Sequence, residues 1–183
     1  MPDPVFQVRR AGRADASNLA ELAASTFRDT YFLISDPVEV EDYIRTNFTT
    51  KLLEEQIADD SATFILGSVG DRFIGYALVR HSVAPDCVTG PVPIELSRLY
   101  LEQAFHGRGY GSALVLASLR EARERNGQTL WLSVYSENMK ARAFYAAMGF
   151  VEIGARDFLF GGRIYNDPVM SRAIPQRSHH APP

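Results

Sequence analysis

The sequence is poor in groups that make permanent cross-links. Cys87 is its one cysteine, so an intrachain disulfide is excluded. The four histidines fall at no spacing used by metal ligands, and no metal is expected. His179-His180 lies in a Pro-containing tail and reads as solvated surface. No apolar run approaches the roughly 20 residues needed to span a bilayer. Met1 to Arg10 lacks the apolar segment of a signal peptide. No membrane association is therefore expected, and a reducing cytoplasm is the default location. Long basic runs are missing as well, and a net charge of −3 argues against nucleic acid as the main partner.

What is present suits a packed core. Hydrophobic residues make up 46% and aromatics 11% of 183 residues, which sets disorder aside as a global description. No internal repeat or linker divides the chain. One domain is expected over residues 1–173, followed by a flexible tail over 174–183.

Hydrophobic period assigns the elements. Phe6 to Arg9 reads as a strand. A helix follows from about Asp15, with Asp15 or Ser17 as cap and Leu19, Leu22, Ala23, Thr26 and Phe27 as its buried stripe. A second helical stretch carries Val40, Tyr43, Ile44 and Phe48, and Thr50 is expected to cap a short third. Ala62 to Val69 and Phe73 to Arg80 form a hairpin about Gly70-Asp71. Ile94 to Leu101 is a strand, and after a Gly-rich turn a long helix runs to about Asn126. Its stripe is Leu114, Leu116, Leu119 and Ala122, with Gly127 placed to end it in the left-handed conformation. Gln128 to Tyr135 is a strand, about Asn138 to Met148 a helix stopped by Gly149, and the last hairpin turns at Gly161-Gly162. This order is mixed α/β (α+β) with its antiparallel part first, not a doubly wound chain.

The turn His106-Gly107-Arg108-Gly109-Tyr110-Gly111-Ser112 follows a strand and opens a helix. Glycine permits unusual dihedrals and close approach. The first helical amides have no internal partner, and the helix dipole adds positive potential. Together these suit phosphate oxygens, with Arg108 adding charge. A plain Gly-rich loop is the alternative. A dinucleotide fingerprint fits poorly, because the spacing is G-x-G-x-G and several elements precede it. A Walker loop fails, because no Lys-Ser or Lys-Thr follows.

The segment Glu95-Leu96-Ser97-Arg98-Leu99-Tyr100-Leu101, this turn, and Asn138-Met139-Lys140-Ala141-Arg142-Ala143-Phe144-Tyr145-Ala146-Ala147-Met148-Gly149-Phe150 resemble the two signature motifs of the GNAT superfamily of N-acetyltransferases. The resemblance covers about Ala62 to Arg172. Thr26 to Tyr31 and Asn166 to Met170 are similar to polyamine acetyltransferases of the PaiA type. Three departures stand out. His106 replaces the usual Gln or Arg, Ser133 stands where some peptide-acetylating relatives carry a glutamate base, and Pro168 falls within an expected strand, where a bulge or interruption should result.

The resemblance implies a GNAT-type fold: a central, mostly antiparallel twisted sheet with one splayed parallel strand pair, flanked by helices. It also implies acetyl-CoA as co-substrate, a small-molecule primary amine or polyamine as acceptor, and a homodimer as a family habit. Leu99 and Leu101 would pair with the pantetheine arm. His106, Gly107, Arg108, Gly109, Gly111 and Ser112 would surround the diphosphate, and Asn138 would bond the arm from the far side. Three chemical needs follow. The acceptor ammonium must lose a proton, the oxyanion needs fixed donors, and the thiolate needs an acid. Glu95 is the expected base, on strict alternation sharing one strand face with Ser97, Leu99 and Leu101. The Leu101 amide is the expected oxyanion donor and Tyr145 the expected acid. Phe27, Tyr31 and Asp29 are expected around the acceptor. Two other readings stay open: a peptide or protein acetyltransferase, and a non-catalytic coenzyme A-binding module.

Overall fold

The computed structural model describes residues 5–32, 35–160 and 162–176. Of the flexible tail expected over 174–183, Ile174 is instead packed in the core, 4% exposed, with its amide donating to the Gln128 carbonyl (2.8 Å); Gly161, His179-His180 and the rest of the tail beyond residue 176 lie outside the described residues. The elements are β1 (Phe6–Arg10), α1 (Ala16–Tyr31), α2 (Pro37–Asn47), α3 (Thr50–Ile57), β2 (Ala62–Val69), β3 (Arg72–Arg80), β4 (Pro93–Leu101), α4 (Tyr110–Glu124), β5 (Thr129–Ser133), α5 (Met139–Ala147), β6 (Val151–Phe160) and β7 (Arg163–Ala173). The strands form one sheet in the order β1-β2-β3-β4-β5-β7-β6. Only β4 and β5 run parallel, so the mixed, mostly antiparallel architecture expected from the sequence is the observed one. Among the described residues no helix is long and apolar enough to cross a membrane.

Each face of the sheet carries its own core. On one face, Leu114, Val115, Leu119 and Ala122 of α4 pack with Ile94, Leu96, Leu130 and Leu132, and with Tyr145 of α5 and Phe150. On the other face, Leu19, Ala23 and Phe27 of α1, Val40 and Ile44 of α2 and Leu53 of α3 pack on Phe64, Leu66, Tyr76 and Leu78. Burying a side chain of this size contributes about 1.5–3 kcal/mol. The sheet is thus held by two independent apolar layers.

The helix ends show where sequence signals were and were not sufficient. Asp36 accepts a hydrogen bond from the Val38 amide, with Pro37 in the first turn, and starts α2. Thr49, not Thr50, caps α3 by accepting from the Leu52 amide. Asp15 precedes α1, but its carboxylate accepts instead from the Gly12 amide and the Arg9 guanidinium. Leu116 is 46% exposed, because it falls off the line through Leu114, Leu119 and Ala122. At the end of α4 the left-handed residue is Asn126 (φ 61°), not Gly127. The Gly127 amide closes the helix on the Ala122 carbonyl (2.8 Å), and that of Asn126 on Arg123 (2.9 Å). This pair of bonds is a Schellman ending. Gly127 is glycine for space. A Cβ there would lie 2.6 Å from Ile94 Cγ1 and 2.7 Å from the Ala122 carbonyl oxygen.

Strand β5 is shorter than expected and ends at Ser133. Pro168 pairs with Ala155 in β6. It lies just past the last pair of the β5 ladder, Ser133 with Val169, where its carbonyl still accepts from the Val134 amide (3.0 Å) and only the return bond is lost, at the end of the ladder. The nearest register shift is in β6, between Glu152 and Gly154.

Gly127→Ala is expected to destabilise the fold by about 1–3 kcal/mol through overpacking. Asn126→Gly should be neutral or stabilising, because it removes the left-handed strain. Thermal unfolding of the two variants checks this; equal destabilisation would mean that both positions are conformational.

Candidate active site

The site begins where β4 and β5 part. Their pairing runs from Pro93 with Thr129 to Glu95 with Trp131 and stops. On its other edge β4 pairs with β3 from Glu95 to Leu101, but Val79 opposes Leu96 and Leu78 opposes Arg98, leaving Ser97 as an extra residue. Such a bulge bends a strand, adds twist and resets which side chains share a face. Ile94, Leu96 and Leu99 all pack on the α4 side. Tyr100 packs on the α1 side, and Arg98 stands over the ring of Phe48 there (5.0 Å). Glu95 therefore points to the α1 side, opposite Leu99 and Leu101. Strict alternation put these residues on one face, and the bulge at Ser97 overturns that.

Backbone polarity follows from the ladders. The Glu102 amide donates to the Ile74 carbonyl (2.8 Å), so even-numbered residues of outer β4 exchange bonds with β3 and odd-numbered ones turn away. Leu99 and Leu101 thus present N–H and C=O groups to the gap. Across it, the Val134 amide donates to Pro168 (3.0 Å), which by the same rule turns the backbone groups of Ser133 toward β4. Two strand edges face each other without pairing.

The gap opens onto the first turn of α4. Gly107 (φ 76°) and Gly109 (φ 81°) are both left-handed, and a Cβ on either would meet nothing within 4 Å. Their need is conformational. Gly109 is the N-cap and supplies no side-chain cap. The first intrahelical bond runs from the Ala113 amide to the Gly109 carbonyl (3.0 Å). The amides of Tyr110, Gly111 and Ser112 precede it and point outward. Gly111 differs from its neighbours: a Cβ there would lie 3.4 Å from Phe144 of α5, so it keeps the two helices close. His106 Nε2 lies 2.9 Å from the Leu101 carbonyl oxygen and occupies one outward-facing acceptor of β4. Arg108 stacks over Phe105 (5.5 Å) and does not line the cleft.

These elements enclose a cavity of about 1120 Å³. Leu99, Leu101, His106, Gly107, Gly109, Gly111, Ser112, Asn138 and Tyr145 all line it. Asn138 Oδ1 accepts from the Ala141 amide (3.0 Å) and caps α5, which leaves its amide NH₂ for another acceptor. Tyr145 is 8% exposed, and burial pushes its phenol up.

From α1, Asp29 and Tyr31 line the cavity and Phe27 does not. Phe27 is 5% exposed and stacks on Tyr43 (4.6 Å), because its place on the α1 stripe turns it to the sheet. Burial pushes the Tyr31 phenol up to about 12. Glu95 is 2% exposed. Its oxygens lie 2.8 Å from Arg80 Nε and 3.5 Å from Arg156 Nη1, and it is not part of the cavity wall. Sequence reasoning missed Arg98, Tyr100, Ser133 backbone and Lys140 as wall residues. The Leu-x-Arg-Leu-x-Leu stretch around Arg98 held the signal, because a charge within an apolar strand needs a reason.

Unpaired strand edges can hold an extended amide-bearing arm, and outward helix amides can hold phosphate oxygens. The comparisons agree with that chemistry. The model of the acetyltransferase (GNAT) family matches residues 19–150. An uncharacterised N-acetyltransferase of Mycobacterium tuberculosis is 31% identical over 160 residues, covering 87% of this chain and 98% of the relative. The PaiA N-acetyltransferase of Thermoplasma acidophilum, solved in complex with coenzyme A, superposes with a TM-score of 0.76 at 21% identity, over 92% of this chain and 99% of that one. YncA of Salmonella typhimurium, solved with acetyl-CoA, gives 0.63 at 17% identity, over 97% and 98%.

Glu95→Gln leaves two arginines facing a buried neutral group. The arginines left behind are partly exposed, 44% for Arg80 and 33% for Arg156, so the loss is about 1–2 kcal/mol and unfolding should shift down by on the order of 2–8 °C. An unchanged melting temperature would show that the pairing with Arg80 and Arg156 contributes little.

Proposed function

The chain belongs to the acetyltransferase (GNAT) family, and on that footing we propose that it passes the acetyl group of acetyl-CoA directly to the primary amine of a small molecule within a ternary complex. One observation carries this reading: the unpaired edges at Leu99, Leu101 and Ser133 lead without interruption to the free amides at Gly111 and Ser112. An arm with amide groups fits the first and a diphosphate the second. The residues present therefore fit coenzyme A, which supplies an activated thioester when bound.

The arm takes a β-strand's place beside Leu99 and Leu101, with the Asn138 NH₂ opposite. Leu101 was the expected donor to the acyl oxygen. Leu99 is the first residue past the bulge whose amide faces the gap, and Leu101 lies about 7 Å further toward α4. The Leu99 amide is therefore the better placed of the two. Fixed backbone donors of this kind need no reorganisation as charge develops.

Tyr145 faces the same cavity. A phenol whose pKa is raised by burial stays protonated at neutral pH. A thiol titrates near 8.5, so full transfer from Tyr145 to a departing thiolate runs uphill. Its fitting role is hydrogen-bond donor to the sulfur. Asp29 and Glu137 are exposed at the rim, where they attract an ammonium. Glu95, held behind the wall by Arg80 and Arg156, reaches the amine only through water. A wall built from α1, with Tyr31 projecting into the cavity, favours a small acceptor over an extended peptide.

Calorimetry is expected to detect binding of coenzyme A and of acetyl-CoA; association with neither sinks the proposal. Release of free thiol should be seen with small primary amines, and turnover confined to peptides would replace the acceptor assigned here. Tyr145→Phe should lower kcat by about 10-fold or more with little change in coenzyme A affinity. Because the phenol's pKa is raised, not lowered, its ionisation gives no falling limb below pH 9. Wild type and Tyr145→Phe should share one profile shape from pH 6 to 9, and a limb lost in the variant would contradict the donor role.

A further inference from the structure

We propose that Arg98 receives an acid group carried by the acceptor, so that the amine acetylated here belongs to an amino acid or a similar short carboxylate-bearing amine, not to a polyamine. This deepens the acetyl-transfer reading and rests on it.

The neighbouring arginines have carboxylate partners: Arg80 and Arg156 share Glu95, and Arg28 has Glu41. Arg98, among the described residues, has none. Its Nη1 is buried with no hydrogen-bond partner, and Arg98 is among the residues that line the cleft. The ring of Phe48 covers the guanidinium at 5.0 Å, but a ring face leaves the N–H groups at the edge unsatisfied. A guanidinium cannot shed its charge, and a half-sequestered cation with no counter-ion is costly. The deficit at Arg98 is a donor's, and an anion in the cleft answers it.

The diphosphate is not that anion. Leu99 and Leu101 face α4, whose first turn is the phosphate site. Arg98 points from the opposite face, about 10 Å back along the strand from Leu101. That places it beside the gap on the α1 side, where the acceptor enters. A carboxylate matches the guanidinium fork in plane and charge, and it leaves an amine a few bonds away free to turn into the gap. A diamine of the same length would instead set an ammonium against Arg98.

The test is a matched set with acetyl-CoA. Glycine and the linear ω-amino acids up to 5-aminopentanoate are each compared with their primary amides and with the diamine of equal length, in wild type, Arg98→Lys and Arg98→Gln. In wild type, kcat/KM for at least one carboxylate should exceed its amide and its diamine by about 10-fold or more. In Arg98→Gln that ratio should fall toward 1, with Arg98→Lys between. Turnover of amides and diamines as good as that of acids would overturn the proposal and leave acetyl transfer standing. So would a ratio that Arg98→Gln does not change. Thermal shifts of the coenzyme A-loaded protein with the same acids are read without turnover. Stabilisation by acids alone that depends on Arg98, with no acetylation of any amine, would support the anion site and sink the enzyme reading. No shift and no turnover would overturn both.

Discussion

Strand β4 has to satisfy two neighbours with different demands. β3 holds it from Glu95 to Leu101, whereas β5 holds it only from Pro93 to Glu95. The extra residue at Ser97 lets both be met, because the bulge keeps the β3 ladder while turning the strand away from β5. Without that turn the parallel pair would continue to Leu101, and its backbone groups would be consumed internally. The open edge of β4 and the separation of side chains onto two faces follow from this irregularity; the outward amides are added by the first turn of α4.

The separation has a physical logic. On the α4 side most of the polar groups offered are main-chain ones, fixed by the strand and by the first turn of the helix, with the Asn138 amide and the Tyr145 phenol added at α5. On the α1 side they are side chains set among aromatic rings: Arg98, Tyr31 and Tyr100. Backbone donors suit a ligand that is always the same, because they cannot be altered by substitution. Side chains suit a ligand on which specificity must be exercised.

Much of this was legible in the sequence because period and turn chemistry are local. The stripes of α1 and α4, the Gly70-Asp71 hairpin and the glycine turn before α4 needed no knowledge of neighbours. The failures share a cause. A bulge has no signature in Glu-Leu-Ser-Arg-Leu, since Ser97 is extra only relative to the partner strand, so strict alternation carried Glu95 to the wrong face. Phe27 stood both on a buried stripe and in a proposed pocket wall, and a side chain packed against the sheet serves only the first. Gly127 was read by conformation when its reason is the proximity of Ile94, a residue far off in sequence. Arg98 was quoted within a motif and passed over, because its lack of a partner is visible only once every nearby carboxylate has been placed.

The open seam between β4 and β5 has a bearing on the protein as a folded object. Backbone groups of Leu99 and Ser133 and the Leu101 amide, which a sheet would ordinarily pair among themselves, are left to whatever fills the seam. A ligand that completes them is a missing strand of the native state, and mass action then ties the folding equilibrium to its concentration. Such a chain is at its most robust when its acyl donor is plentiful and at its most vulnerable to unfolding and proteolysis when the donor runs low. Its lifetime in a cell would therefore follow the supply of its own co-substrate.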